Sequence, residues 1–341
     1  MAYTNIDDPT IYFNTKLTNG NSSTQAITGL GFQPDWIWGK QRTGTQKHQL
    51  LDAIRGANNI LVSSDTAANL ADSNILNSFD VDGFTLGSQD QLNDTGATYA
   101  FWCWKANGTG SANTDGSINT TKTSASTTSG FSICQYTGTG SAATVGHGLG
   151  ATPEWLIIKS SSGTEQWVIG NQASGFTKNL HFLTAGLNTS TSIFNDTAPT
   201  SSLFTVGTNS GTNGSSQTYM AYCFAPKRGF SSMGSYLGNG NADGTFVHTG
   251  FKPAFVLIKS TSSGRDWLLG DNKRLGYNGG NKASIPNGNN AEEALALDYT
   301  SSGFKLRTTG NPNVSGETFI FMAFAAAPFV NSSGVPVTAG V

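Results

Sequence analysis

Three segments of 24 residues read alike: Leu17 to Lys40, Tyr136 to Lys159 and Tyr236 to Lys259. Each places a glycine (Gly31, Gly150, Gly250) three residues before a proline (Pro34, Pro153, Pro253) and then runs through an apolar stretch, WIWGK, WLIIK or FVLIK. From that proline to a phenylalanine (Phe84, Phe204, Phe304) the separations are 50, 51 and 51 residues. A further apolar run starts fifteen residues later, at Tyr99, Tyr219 and Phe319. Self-similarity at a fixed spacing outranks local propensity as a fold signal. The chain therefore reads as three copies of one unit.

Each copy is about 100 residues, close to the size of an immunoglobulin-like sandwich domain. The repeated runs are short, β-branched or aromatic, with proline before and Gly, Ser or Thr after, which is the pattern of strands. The prolines fall at strand starts, where a missing N–H costs no ladder bond. TGTGS and LGNGN read as turns that use glycine for positive φ. The fold class expected is all-β: three tandem antiparallel β-sandwich repeats. Residues 1–106 form the first repeat with an N-terminal arm, 107–129 a polar linker, 130–227 the second repeat, 228–329 the third and 330–341 a tail. The linker has one large apolar residue, Ile118, and reads as flexible. The tail either docks as an extended strand or stays loose.

Copies two and three share a tryptophan fourteen residues after the proline, Trp167 and Trp267; copy one has His48 there. The segment that follows His48 is the most helix-tolerant in the chain and reads as an elaborated loop with one helical turn. The closing strands, TYAFWCWKA, QTYMAYCFA and ETFIFMAFA, are apolar on both faces. A strand with one wet face alternates apolar and polar. Here something must cover the second face, so Trp102, Trp104, Tyr222, Phe224, Met322 and Phe324 are candidates for packing between repeats or between subunits.

Composition excludes several classes of function. Charged residues are 12% of 341, about half the usual share, and the net charge is -2. No basic field exists to hold nucleic acid. No apolar run approaches the roughly 20 residues that span a bilayer, so no membrane insertion is expected. The start MAYTNIDDPTIYF lacks a charged and then apolar leader, so no signal peptide is expected. Ser, Thr and Asn supply about a third of the chain, and Gly supplies 42 residues. Three widely spaced cysteines, Cys103, Cys134 and Cys223, make neither a disulfide framework nor a CxxC metal site.

The residues that carry chemistry are sparse. His147 and His248 fall within one position of each other in the aligned repeats, with no second ligand at metal spacing. Asp72, Asp80 and Asp82 resemble a loose calcium loop, but turn-forming aspartates explain them more simply. Adjacent Glu292 and Glu293 point oppositely on a strand and suit a solvated loop better than a glycosidase pair. Lys40, Lys159 and Lys259 close the repeated strand and read as edge lysines that block unwanted pairing. No nucleophile elbow or phosphate loop is present. No catalytic, metal or cofactor-binding residue is assigned, and no cofactor is expected. Trp36, Trp38, Trp155, Trp167 and Trp267 lie in or beside apolar strands and read as core before they read as stacking platforms for sugars; Trp167, Trp267, His147 and His248 remain as candidate surface or ligand contacts.

GFSICQYTGTGSAATVGHGLGATPEWLIIK, the close TYAFWCWKANGTG and the tail PFVNSSGVPVTAG resemble tandem-repeat virion proteins of tailed bacteriophages, most of all tail-fibre-like proteins of marine phages. The resemblance runs from about Phe13 to the C-terminus and brings no catalytic residue with it. It implies a non-enzymatic structural part of the virion, made in the host cytoplasm: a tail fibre or appendage touching the host surface, or a capsid decoration or head fibre. It implies homo-oligomers, trimers above all, with other virion proteins as partners and a host surface glycan as a ligand. A polysaccharide depolymerase and a secreted surface-layer or adhesin protein are the rivals from other classes.

Overall fold

A computed structural model of the chain describes residues 3–183, 186–274 and 280–337. Strands hold 43% of the residues and helices 5%, and the sheets are antiparallel, so the fold is all-β. Three large sheets organise it. The first runs in the order Phe13–Asn19, Thr98–Trp104, Trp36–Gln41, Gln49–Asp52, Asn59–Val62 and Leu70–Ala71. The second runs Thr120–Ser126, Phe131–Thr137, Thr218–Phe224, Trp155–Ser160 and Val168–Asn171. The third runs Ser231–Leu237, Thr318–Pro328, Phe251–Ser260, Leu268–Asp271, Asn281–Ser284 and Glu293–Leu295. A small two- or three-stranded sheet accompanies each, built on Gly83–Leu86, Leu203–Val206 or Gly303–Leu306.

Register makes the large sheets position-for-position equivalent. Phe13 pairs with Trp104, Phe131 with Phe224 and Ser231 with Phe324. On the other side of that strand, Trp36, Trp155 and Phe255 pair with the same three residues. The next rung aligns Asp52, Asn171 and Asp271 opposite Trp36, Trp155 and Phe255. Pro34 and Pro153 stand two residues ahead of their strands, whereas Pro253 lies inside Phe251–Ser260 between two register shifts, where a ladder bond is already missing.

Both faces of the closing strands are buried, as their composition demands. In the first sheet Tyr99, Phe101 and Cys103 face a core shared with Phe84 and Leu86 of the small sheet. Tyr219, Ala221 and Cys223 do the same in the second with Phe204 and Val206. The opposite faces meet one another. Trp102 and Trp104, Tyr222 and Phe224, Met322 and Phe324 all belong to one cluster drawn from the three large sheets. Trp36 lies 4.6 Å from Trp104 and 4.7 Å from Tyr222, ring centre to ring centre, and Phe13 stacks on Phe324 at 5.3 Å. The second apolar face is therefore covered within the chain.

Two expectations fail here. Residues 107–129 are not a loose linker. Thr120–Ser126 forms the outermost strand of the second sheet, with Ile118, Thr120, Thr123, Ser124 and Ser129 buried. Hydroxyls take the place of apolar side chains: Ser124 Oγ accepts from Asn107 N at 2.8 Å, and Thr120 and Thr123 hydroxyls bond each other at 2.7 Å. The stretch after His48 holds no helix but the strands Gln49–Asp52, Asn59–Val62, Leu70–Ala71 and Leu76–Asp80. Pairing with the first sheet overrides its helix propensity. Of the tail, residues 338–341 lie outside the described residues. Before them, a bridge joins Val330 to Pro336, and Ser332 N donates to Asp7 at 2.7 Å, tying the chain's end to its N-terminal arm.

Candidate functional site

Polar groups link the three sheets head to tail. Trp167 Nε1 of the second sheet donates to Val62 O of the first at 2.8 Å, and Trp267 Nε1 donates to His181 O at 3.0 Å. His48, at the equivalent position, lies against the Ile285 backbone in the third sheet. It also accepts from Trp38 Nε1 at 2.8 Å. A second set of links runs the same way. Tyr222 OH donates to Asp52 at 2.7 Å and Trp102 Nε1 to Asp271 at 2.9 Å. The third pair of equivalents, Met322 and Asn171, cannot make this bond, and Asn171 Nδ2 has no partner. Second to first, first to third and third to second, the contacts close a ring.

The expected surface residues divide on this geometry. Trp167 and Trp267 are 1% and 0% exposed, so neither offers a stacking face to a sugar. His147 is also buried, its Nδ1 accepting from Leu149 N at 3.2 Å, and burial holds its pKa down. The two tryptophans are covered by the next copy, bonding Val62 O and His181 O, whereas His147 is covered within its own repeat, where Thr200 O lies 3.2 Å from its Nε2. His248 alone of the four is exposed, beside the half-exposed Phe246.

Lys40, Lys159 and Lys259 are not edge lysines. Each lies in a central strand of its sheet and is buried. Each ammonium donates to carbonyls of the loop that follows: Lys40 to Gln41 O and Gly44 O, Lys159 to Ser160 O and Gly163 O, Lys259 to Ser263 O and Arg265 O. Lys159 also reaches Thr66 O, in the loop between Asn59–Val62 and Leu70–Ala71, at 3.1 Å. Burial lowers all three from 10.5 to about 8. The unfolded chain then holds more protons than the folded one between those values, so stability rises with pH across that window. The buried thiols Cys103 and Cys223, pushed up by desolvation, act oppositely once free thiols ionise near pH 9. The urea midpoint is expected to rise from about pH 7.5 to about pH 8.8. A flat or falling midpoint over that interval contradicts this role for the lysines.

The carboxylates serve the framework. Asp82 accepts from Gly29 N at 2.8 Å and Gly31 N at 2.6 Å, pinning a turn. Asp80 accepts from Thr85 Oγ1, and Asp72 from Asn74 N. Glu292 is no solvated loop residue: Arg42 of the first sheet holds it at 2.9 Å and Arg274 at 3.5 Å. Among the described residues, no group of three or more His, Cys, Asp or Glu is placed to hold a metal ion. No helix among them is long and apolar enough to cross a membrane.

Two features escaped the sequence. Asn93, Asn213 and Asn313 are fully buried, and each amide bonds backbone on two loops: Asn93 reaches Gly87 O and Ser23 O, Asn213 reaches Gly207 O and Ser141 O, and Asn313 reaches Thr308 O and Asn241 O. Their signal was available, since each stands six residues before Tyr99, Tyr219 or Phe319. The loops they pin close on Gly20, Gly138 and Gly238, where an added Cβ would lie 2.1, 2.4 and 2.2 Å from backbone oxygens of Asp94, Gly214 and Val314. The second feature is the ion pair Asp52–Arg55, repeated as Asp271–Arg274, both at 2.6 Å and out of solvent.

Two of the concavities at the rim stand out. The larger, about 490 Å³, lies between the N-terminal arm and the Lys227–Arg228 turn, with Arg228 over the Tyr3 ring at 4.3 Å. The smaller, about 190 Å³, is lined by Glu154, Trp155, Asn171, Gln172 and Ala173 of the second sheet and Met233, Gly234 and Ser235 of the third. Fold and site together define an interlocked antiparallel β protein whose polar groups hold sheets together. The chain belongs to the family described as a domain of unknown function, DUF7483, which matches residues 8–328. No curated protein matches the sequence.

Proposed function

We propose that the chain is a non-enzymatic structural protein of a phage virion, made of three tandem β-sandwich repeats closed into a ring, and that it serves as an appendage module touching the host surface. The observation that carries this reading is the mutual burial of the three large sheets through Trp36, Trp104, Tyr222, Phe255 and Phe324. A block of this kind is rigid without needing charge, and a low-charge surface suits salt water, where fields between charges are screened within a few ångströms. The motifs that resemble phage tail-fibre-like proteins span the same length of chain. Contact with a glycan falls to the exposed Phe246–His248 rim, since Trp167, Trp267 and His147 are covered.

A second placement, capsid decoration or head fibre, draws on one observation. The apolar strand faces that were candidates for packing between repeats or subunits are occupied by the chain's own sheets, so they give no reason for copies to associate. Gold-labelled antibody against the purified chain, applied to particles from the source culture, tests both. Label at a tail or its fibres supports the appendage, and label over the capsid supports decoration. Particles that stay unlabelled while cell fractions label overturn the virion reading.

A further inference from the structure

The ring creates three equivalent clefts, each between a turn after the Asp52, Asn171 or Asp271 rung and the first strand of the next sheet. In two of them a lysine is present. Between the first and second sheets, Lys122 stands opposite Gln135 and its ammonium donates to Ile54 O at 3.1 Å. It arrives on Thr120–Ser126, a strand added to the edge of Phe131–Thr137. Between the third and first sheets, Lys273 lines a remnant of about 90 Å³. The third cleft is the 190 Å³ one. By register, Ser235 corresponds to Gln135 and Ala173 to Ile54, so both positions that receive Lys122 line this cleft as well.

This cleft differs in holding an acid and no base. Glu154 is half-buried, desolvation alone acts on its carboxyl and raises its pKa, and no Lys or Arg of the described residues pairs with it. Its equivalent in the first sheet, Asp35, is instead satisfied by Ala106 N at 2.6 Å and Gly108 N at 3.1 Å. Trp155 and Asn171, 1% and 2% exposed, line the same cleft, and the buried Trp155 Nε1 and Asn171 Nδ2 have no hydrogen-bond partner. Beside it, Ser231–Leu237 is the terminal strand of its sheet, with no counterpart of Thr120–Ser126 among the described residues.

We propose that this edge and cleft together bind an extended, hydroxyl-rich segment of a partner polypeptide, which adds as an antiparallel strand to Ser231–Leu237 and places one lysine beside Glu154 and Ala173 O. Main-chain bonds supply the affinity and the lysine supplies register, the usual division in strand addition. The chain's own Thr120–Ser126 is the template, so its chemistry defines the partner. Nothing in this inference depends on where the protein acts.

The probe is a labelled synthetic peptide, INTTKTSAS, the sequence of residues 118–126, titrated by fluorescence polarisation against the full chain. Saturable binding is expected, with slowed amide exchange confined to residues 231–237 and their pairing partners. Glu154→Gln in the protein, and norleucine for lysine in the peptide, are each expected to weaken binding about tenfold, the scale of one charge-assisted contact. The two changes together should weaken it little more than either alone. Absence of binding at about 1 mM overturns the proposal. So does binding that both changes leave intact, or protection elsewhere. Concentration-dependent dimerisation that the peptide abolishes would assign the edge to a second copy, and would overturn the partner.

Discussion

Trp36→Ala is expected to cost about 3–5 kcal/mol, the range for removing a large buried aromatic side chain from a packed core. The indole is fully buried and sits where the first and second sheets meet, within 4.6 to 5.9 Å of Trp104, Tyr222, Trp38, Phe131 and Phe224. Two of those rings are its own sheet's, and three come from the second. An isolated sandwich would feel the loss in the first sheet only. In the ring, the cavity opens between sheets, so amide exchange should quicken in Trp36–Gln41 and in Thr218–Phe224 alike. The urea midpoint measures the cost, with Val81→Ala as the control: Val81 is 86% exposed and should change stability by less than about 0.5 kcal/mol. A loss below about 1 kcal/mol for Trp36→Ala would mean that the seam is not a packed core.

Asp52→Ala is expected to be as costly for a different reason. The carboxylate accepts from Arg55 Nε at 2.6 Å and Arg55 N at 2.8 Å, and from Tyr222 OH of the second sheet at 2.7 Å. Removing it leaves a guanidinium buried without its counter-ion, which costs about 3–5 kcal/mol. The second sheet shows how to remove the pair without that penalty. Its equivalents are Asn171 and Ser174, with Ser174 N donating to Asn171 Oδ1 at 2.9 Å. Asp52→Asn combined with Arg55→Ser installs this neutral version and should cost clearly less than Asp52→Ala, about 1–2 kcal/mol for the lost neutral hydrogen bonds. Equal losses in urea for the single and double variants would show that the charges are not coupled. Removing Asp271 from the Asp271–Arg274 pair beneath Trp102 should cost less than removing Asp52, because Glu292 remains 3.5 Å from Arg274.

The repeat, the strands and the double burial of the closing strands were legible because they are local or periodic. Trp102 to Phe324 announced a covered face by breaking apolar–polar alternation. What covers that face was not legible, since a neighbouring copy and a second subunit leave the same mark on a strand. Apolar strand context pointed to buried indoles, but that Trp167 and Trp267 are covered by another copy depended on that answer. Thr120–Ser126 escaped because its inward positions are Thr and Ser, which pack through hydroxyl pairs that no hydrophobic pattern reports. The three lysines escaped because strand order decides whether a position is edge or centre, and order depends on pairing distant in sequence.

The central claim is that one chain closes three sheets on each other. Small-angle X-ray scattering from the purified chain tests it most directly. The ring predicts a particle of 35.7 kDa with a radius of gyration of about 20 Å, as for any compact chain of this length. Three sandwiches strung in a row would give about 30 Å, by the same scaling applied to each of them separately. That value, at the mass of one chain, would contradict the ring.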